Sequence, residues 1–125
     1  MTSTEFVKYI LDNDASIKVL VNGRIYNGLI KEDETHLPII NFFQIDAPNL
    51  QCNAERERFQ ISCRDATLES AKQLGFLVHC AFNNIQGAYN GFDVQNCYYD
   101  NSQFVAEEAA LYAVHVDIFV FYVRT

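Results

Sequence analysis

No apolar run in this chain approaches the roughly 18 residues that a membrane-spanning helix requires. The N-terminus also lacks the basic, apolar and small-residue order of a secretory leader. A cytoplasmic protein with no membrane partner is expected. Positive charge is scarce: Lys and Arg number 9 against 16 Asp and Glu, for a formal net charge of −7. Such a field repels phosphate backbones and removes the attraction that drives most nucleic-acid binding. The four cysteines, Cys52, Cys63, Cys80 and Cys97, form no CxxC pair, which suits neither a zinc site nor a disulfide framework. Reduced, mostly buried thiols are expected instead. His36, His79 and His115 show no HxxxH or HxH spacing, so no metal is expected. His79 and Cys80 are neighbours, and consecutive helix residues point about 100° apart, so they do not make a thiolate pair with each other. A phosphate-binding glycine loop, a GxSxG elbow and paired catalytic carboxylates are all missing. The sequence therefore predicts no enzyme, no catalytic residues and no cofactor.

What the chain does have is core material. Of its 125 residues, 50% are hydrophobic and 14% aromatic, enough for one packed core and a single domain over residues 1–125. Thr2 and Glu5 have the spacing of a capping box, and Phe6, Val7, Ile10 and Leu11 fall on one stripe, which predicts a helix over about 3–13. Asp12, Asn13 and Asp14 interrupt it, and a second short turn carries Ile17, Leu20 and Val21 until Asn22 and Gly23 end it. A small apolar stretch around Ile25 and Tyr26 gives way to the polar loop Lys31 to His36, whose run Glu32, Asp33 and Glu34 reads as a solvated tip or an interaction surface. Strands are predicted over Ile39 to Ile45, Arg56 to Arg64, Phe92 to Tyr99 and Leu111 to Val123. A long connection spans 46–55, Gly87 to Gly91 is turn-rich, and Asp100 to Glu108 reads as an acidic loop. The last strand is apolar on both faces near its end, as a central strand should be.

A helix over about 66–83 places Leu68, Ala71, Gly75, Val78 and Phe82 on one face. Phe76, Leu77 and Cys80 fall toward the opposite side, so something must cover both sides: another helix of the same chain, or a neighbouring subunit for which these three residues are the candidate interface. The fold class predicted is α+β, an antiparallel or mixed sheet of about four strands with helices packed on a face.

The order of these features resembles the tail-completion family of long-tailed bacteriophages, also called tail terminators or tail-to-head joining proteins. The residues that carry it are Val21-Asn22-Gly23-Arg24-Ile25-Tyr26 after the first helices, the strand opening Leu37-Pro38-Ile39-Ile40, Arg58-Phe59-Gln60-Ile61-Ser62 running into the Ala66 to Phe82 helix, and Ala109-Ala110-Leu111-Tyr112 opening a last strand that ends Phe121-Tyr122-Val123-Arg124. The polar stretch Lys31 to His36 departs from the pattern. The resemblance implies a small sheet with helices on one face and a homo-oligomer, a hexameric ring on the end of the tail tube. Such a ring stops tube polymerisation and joins tail to head. Its partners would be copies of itself, the tail-tube protein and a head connector or neck protein, with DNA passing through without tight binding. Its place would be the virion tail, assembled in the bacterial host cytoplasm, with Glu32, Asp33 and Glu34 as a candidate exposed acidic loop or lumen. The alternative reading is a small-molecule or peptide-binding intracellular α+β module, with a Phe- and Tyr-lined pocket between the sheet and the 66–83 helix.

Overall fold

Local signals set the first helices. In the computed structural model, which describes residues 1–30, 34–46 and 54–123, helix α1 covers Ser3–Asn13. The Thr2 hydroxyl accepts the Glu5 amide at 3.1 Å, and the Glu5 carboxylate accepts the Thr2 amide at 3.2 Å. This capping box satisfies donors that a helix start otherwise leaves bare. Asp14 ends α1 and caps α2 (Ala15–Val21) by accepting the Ile17 amide at 3.0 Å. Asn22 closes α2 in the left-handed region at φ 48°, a conformation asparagine tolerates. Phe6, Val7, Leu11, Ile17 and Val21 all turn into the core.

Among the described residues the sheet has six strands, not about four: β1 (Ile25–Asn27), β2 (Ile39–Asp46), β3 (Ala54–Asp65), β4 (Ile85–Tyr89), β5 (Phe92–Glu108) and β6 (Leu111–Val123). Their spatial order is β1-β2-β3-β6-β5-β4. Only β1 and β2 run parallel; every other pair is antiparallel. The strands beyond the four predicted ranges are β1, at the small apolar stretch around Ile25 and Tyr26, and β4; β5 is also longer than the 92–99 expected. Asn90 and Gly91 both take positive φ, 50° and 83°, the demand of a tight hairpin turn, so the turn-rich stretch at 87–91 holds the end of β4 as well as a turn. Asp100 to Glu108 is not a loop but the outer half of β5, paired with β6 as far as Glu108 opposite Leu111. β6 lies between β3 and β5, so both of its edges are paired, while the helices cover one of its faces.

Helix α3 (Leu68–Phe82) is capped by Thr67, whose hydroxyl accepts the Ser70 amide at 3.1 Å. Ala71, Leu74, Gly75, Val78 and Phe82 are buried against the sheet. Gly75 sets how close the helix comes: a Cβ there would lie 2.8 Å from Val114 Cγ1. The three helices share one core with Phe42, Phe59, Ile61, Val116 and Ile118, so all pack on one face of the sheet. Glu57 is a buried acid on that face. It accepts the Tyr122 hydroxyl at 2.8 Å and the Ser3 hydroxyl, which pins the start of α1 to β3. Among the described residues, no helix is long and apolar enough to cross a membrane.

Candidate assembly surface

The face of the sheet away from the helices carries a lattice of its own charged and aromatic side chains. Arg58 pairs with Asp117 at 2.5 Å and lies 3.6 Å from Asp100, while Gln60 donates to Asp117 at 3.3 Å. Arg64 pairs with Glu107 at 2.7 Å and donates to the Asn41 side chain. The guanidinium groups of Arg56 and Arg58 lie 5.1 and 5.7 Å from the centre of the Phe119 ring, against which Tyr98 stacks at 5.3 Å. Cation–π contacts and paired charges thus take the place of a second layer of helices.

Polar groups that could suggest catalysis are tied up in this lattice. Ser62 Oγ and His115 Nδ1 are 2.7 Å apart, but Ser62 is only 2% exposed, so a substrate carbonyl has no approach to its hydroxyl. Asp117 is engaged by Arg58 and Gln60, and His115 by Ser62. Burial, then the Arg64 charge, holds His115 below the usual histidine range, which favours neutral imidazole. Burial pushes the Cys63 and Cys97 thiols up to about 12, so both stay protonated and inert at neutral pH. Cys80 is exposed, and Cys52 lies outside the described residues. Among the described residues, no group of three His, Cys, Asp or Glu is placed to hold a metal ion.

Of the three α3 residues expected at an interface, two are open to solvent. Leu77 is half-buried and packs on the core of its own chain. Phe76, 62% exposed, and Cys80 remain open to solvent. Phe76 instead joins a second feature that the sequence reading missed. Between α3 and the outer half of β5 runs a shallow groove of about 220 Å³, lined by Lys72, Phe76, His79, Tyr99, Ser102 and Phe104, among others. His79 stacks on Tyr99 at 3.9 Å, and the Lys72 ammonium sits 4.7 Å over the Phe104 ring. Phe104 and Val105 are 55% and 40% exposed. The stretch Gln103-Phe104-Val105 was the available signal, three residues suited to a strand inside a segment whose ends are acidic.

Of the acidic run, Glu32 and Asp33 lie outside the described residues, as do residues 47–53 of the long connection. Glu34 is not a free tip. Its carboxylate accepts the Tyr26 hydroxyl at 2.6 Å and the His36 amide at 3.0 Å. These two bonds, the Tyr26 bond first, hold its pKa below the ordinary carboxylate value. A carboxylate with a lowered folded-state pKa stabilises the fold above its unfolded pKa, and that stability is lost as pH falls through the folded value. Tyr26→Phe is expected to raise the Glu34 pKa toward the ordinary value and to shrink this acid-range dependence. A carboxyl-carbon NMR titration of both proteins checks it; an unchanged Glu34 curve would count against the Tyr26 bond.

No protein-family model matches the chain, and no curated protein matches it in sequence. Solved structures do. A chain from the virion of a native gene transfer agent (GTA) particle superposes with a TM-score of 0.82 at 14% identity, covering 98% of this chain and 95% of that one. The fold occurs in a virion. A second solved protein, which carries no functional name, superposes with a TM-score of 0.62 at 13% identity over 100% of this chain and 98% of its own. Identities this low show a common fold, here shared over nearly the whole of both partners.

Proposed function

We propose that this chain is a structural component of a phage or prophage particle, and within it a tail-completion protein. It would form a ring on the end of the tail tube, stop tube polymerisation and offer the finished tail to a head connector or neck protein. The observation that carries this reading is the end-to-end likeness to the GTA virion chain, read together with the order of sequence features that resembles tail terminators. A fold-level likeness is an analogy, and three properties of the chain agree with it. Large apolar side chains at Phe76, Phe104 and Leu29 stay exposed, as surfaces destined for partners do. A net charge of −7 suits a channel through which DNA slides without being gripped. The polar groups nearest to a catalytic arrangement, Ser62 and His115, are bonded to each other with the hydroxyl buried, in keeping with a protein that catalyses nothing. For the ligand-binding alternative, helix and sheet meet directly at Gly75 and Val114, and the Phe- and Tyr-lined space beside them is the shallow groove of about 220 Å³ between α3 and β5.

The test is to image the purified protein by electron microscopy and to add it to polymerising tail-tube subunits. Rings, together with tubes arrested at short lengths, are expected. Tube lengths unchanged at every dose would reject the termination role.

A further inference from the structure

We infer that the cleft beside the start of α1 is a binding site for an organic cation, an ammonium or guanidinium group held by the buried carboxylate of Glu57. The inference goes beyond the tail-completion reading and does not depend on it.

Glu57 is only 7% exposed, and its two oxygens accept the hydroxyls of Ser3 and Tyr122. Both donors are neutral. Among the described residues no Lys, Arg or His lies within ion-pair range of the carboxylate, although a buried charge is ordinarily paired. The start of α1 beside it offers roughly half a positive charge at most. A carboxylate also has room for about four hydrogen bonds, and the two hydroxyls leave part of that capacity open. No cation of the described chain reaches Glu57, so one that pairs with it arrives from outside.

The cleft has the room and the walls to receive it. A space of about 540 Å³ opens beside Glu57, lined by Ser3, Thr4, Gln44, Phe92 and Tyr122, among others, a volume within the range of small-ligand sites. Among the described residues that line it, Glu57 carries the sole charged side chain, so an anion would meet a like charge there and a cation an opposite one. The rings of Phe92 and Tyr122, with centres 4.5 Å apart, supply an aromatic wall, and ring faces attract cations. Thr4 and Gln44 bring side-chain oxygens that can accept the N–H groups Glu57 does not take. A charge-assisted hydrogen bond to a buried carboxylate is the strong element of such a site. The same chemistry arrives either on a free amine or on a lysine or arginine side chain of a neighbouring protein.

Amide NMR of the full chain tests this, by titration at fixed ionic strength with n-butylammonium, n-butanol and n-butyrate. These probes share one stem and differ in charge. Butylammonium is expected to shift the amides of Thr4, Gln44, Phe92 and Tyr122, and to saturate them at a concentration at least about 10-fold below that of butanol, the margin of one hydrogen bond to a charged group. Butyrate should leave them in place. A blocked Ala-Lys-Ala peptide separates the two sources: tighter binding than butylammonium identifies a protein side chain as the natural occupant, weaker binding a free amine, and either supports the site. Glu57→Gln should abolish the preference for butylammonium over butanol, with circular dichroism reporting whether it folds. Gln44 is exposed, so Gln44→Lys puts the fold at little risk; it sets an ammonium in the same cleft and should weaken butylammonium binding by about 10-fold or more. Equal shifts from butanol or butyrate, butylammonium shifts confined to other amides, or unchanged affinity in Gln44→Lys would each overturn the inference, and none of them bears on ring formation.

Discussion

Gly75→Leu should cost at least about 3 kcal/mol of stability, at the upper end of what overpacking does to a filled core. The reason is distance. Even a single Cβ at Gly75 would sit 2.8 Å from Val114 Cγ1, 3.4 Å from Val114 Cβ and 3.5 Å from Val116 Cγ2. Val114 and Val116 are themselves buried on β6, the strand between β3 and β5, so they have nowhere to retreat. A leucine would force α3 off the sheet, exposing Ala71, Val78 and Phe82 with it. Gly75→Ala separates packing from helix propensity. Alanine favours a helix by about 1 kcal/mol over glycine, yet the contact with Val114 should more than cancel this and leave a net loss. Urea unfolding midpoints measure both. A leucine variant as stable as the parent would mean that α3 does not rest on Val114 at this range.

Phe6→Ala is expected to lose about 3–5 kcal/mol, the usual cost of deleting a fully buried aromatic ring. That is a large share of the roughly 5–15 kcal/mol that holds most domains together. Phe6 is 0% exposed, and its ring lies 5.2 Å from that of Tyr89 and 5.4 Å from that of Phe92. It is the bolt between α1 and the β4–β5 hairpin, so amides of residues 85–94 should lose hydrogen-exchange protection before those of β3. Phe6→Leu, which keeps most of the volume, should cost far less. A loss under about 1 kcal/mol for the alanine variant would show that α1 is peripheral to the core.

Where residues signal their own environment, the sequence was a good guide. The Thr2–Glu5 spacing gave the start of α1, the alternation of Phe59, Ile61 and Cys63 with Arg58, Gln60 and Ser62 gave β3, and the spacing of Ala71, Val78 and Phe82 gave the buried side of α3. The readings that failed are those where burial leaves no trace. The outer half of β5 is solvent-exposed along nearly its whole length, so it shows no apolar alternation, and its acidic ends resemble a loop. β4 is short and carries Gly87, and the turn residues after it hide the strand itself. β4 and the outer half of β5 were lost for that reason, and the Phe104 surface with them. Periodicity also told that Phe76, Leu77 and Cys80 leave the sheet side of α3, but only the tertiary packing tells that Leu77 is covered by its own chain.

One consequence of the strand order concerns how the protein is made. The strand that joins the two halves of the sheet, β6, comes last of the six along the chain, and β3 and β5 do not touch each other without it. Until residues 111–123 leave the ribosome, the nascent polypeptide therefore holds two unfinished sheets, each with a greasy seam open to its neighbours on the polysome. Closing them demands contacts between segments far apart in sequence, a slow step for which loop closure must be met before any pairing is gained. Completion of the sheet should therefore wait for residues 111–123 to emerge, and chaperones that shield such seams should raise the yield of soluble protein.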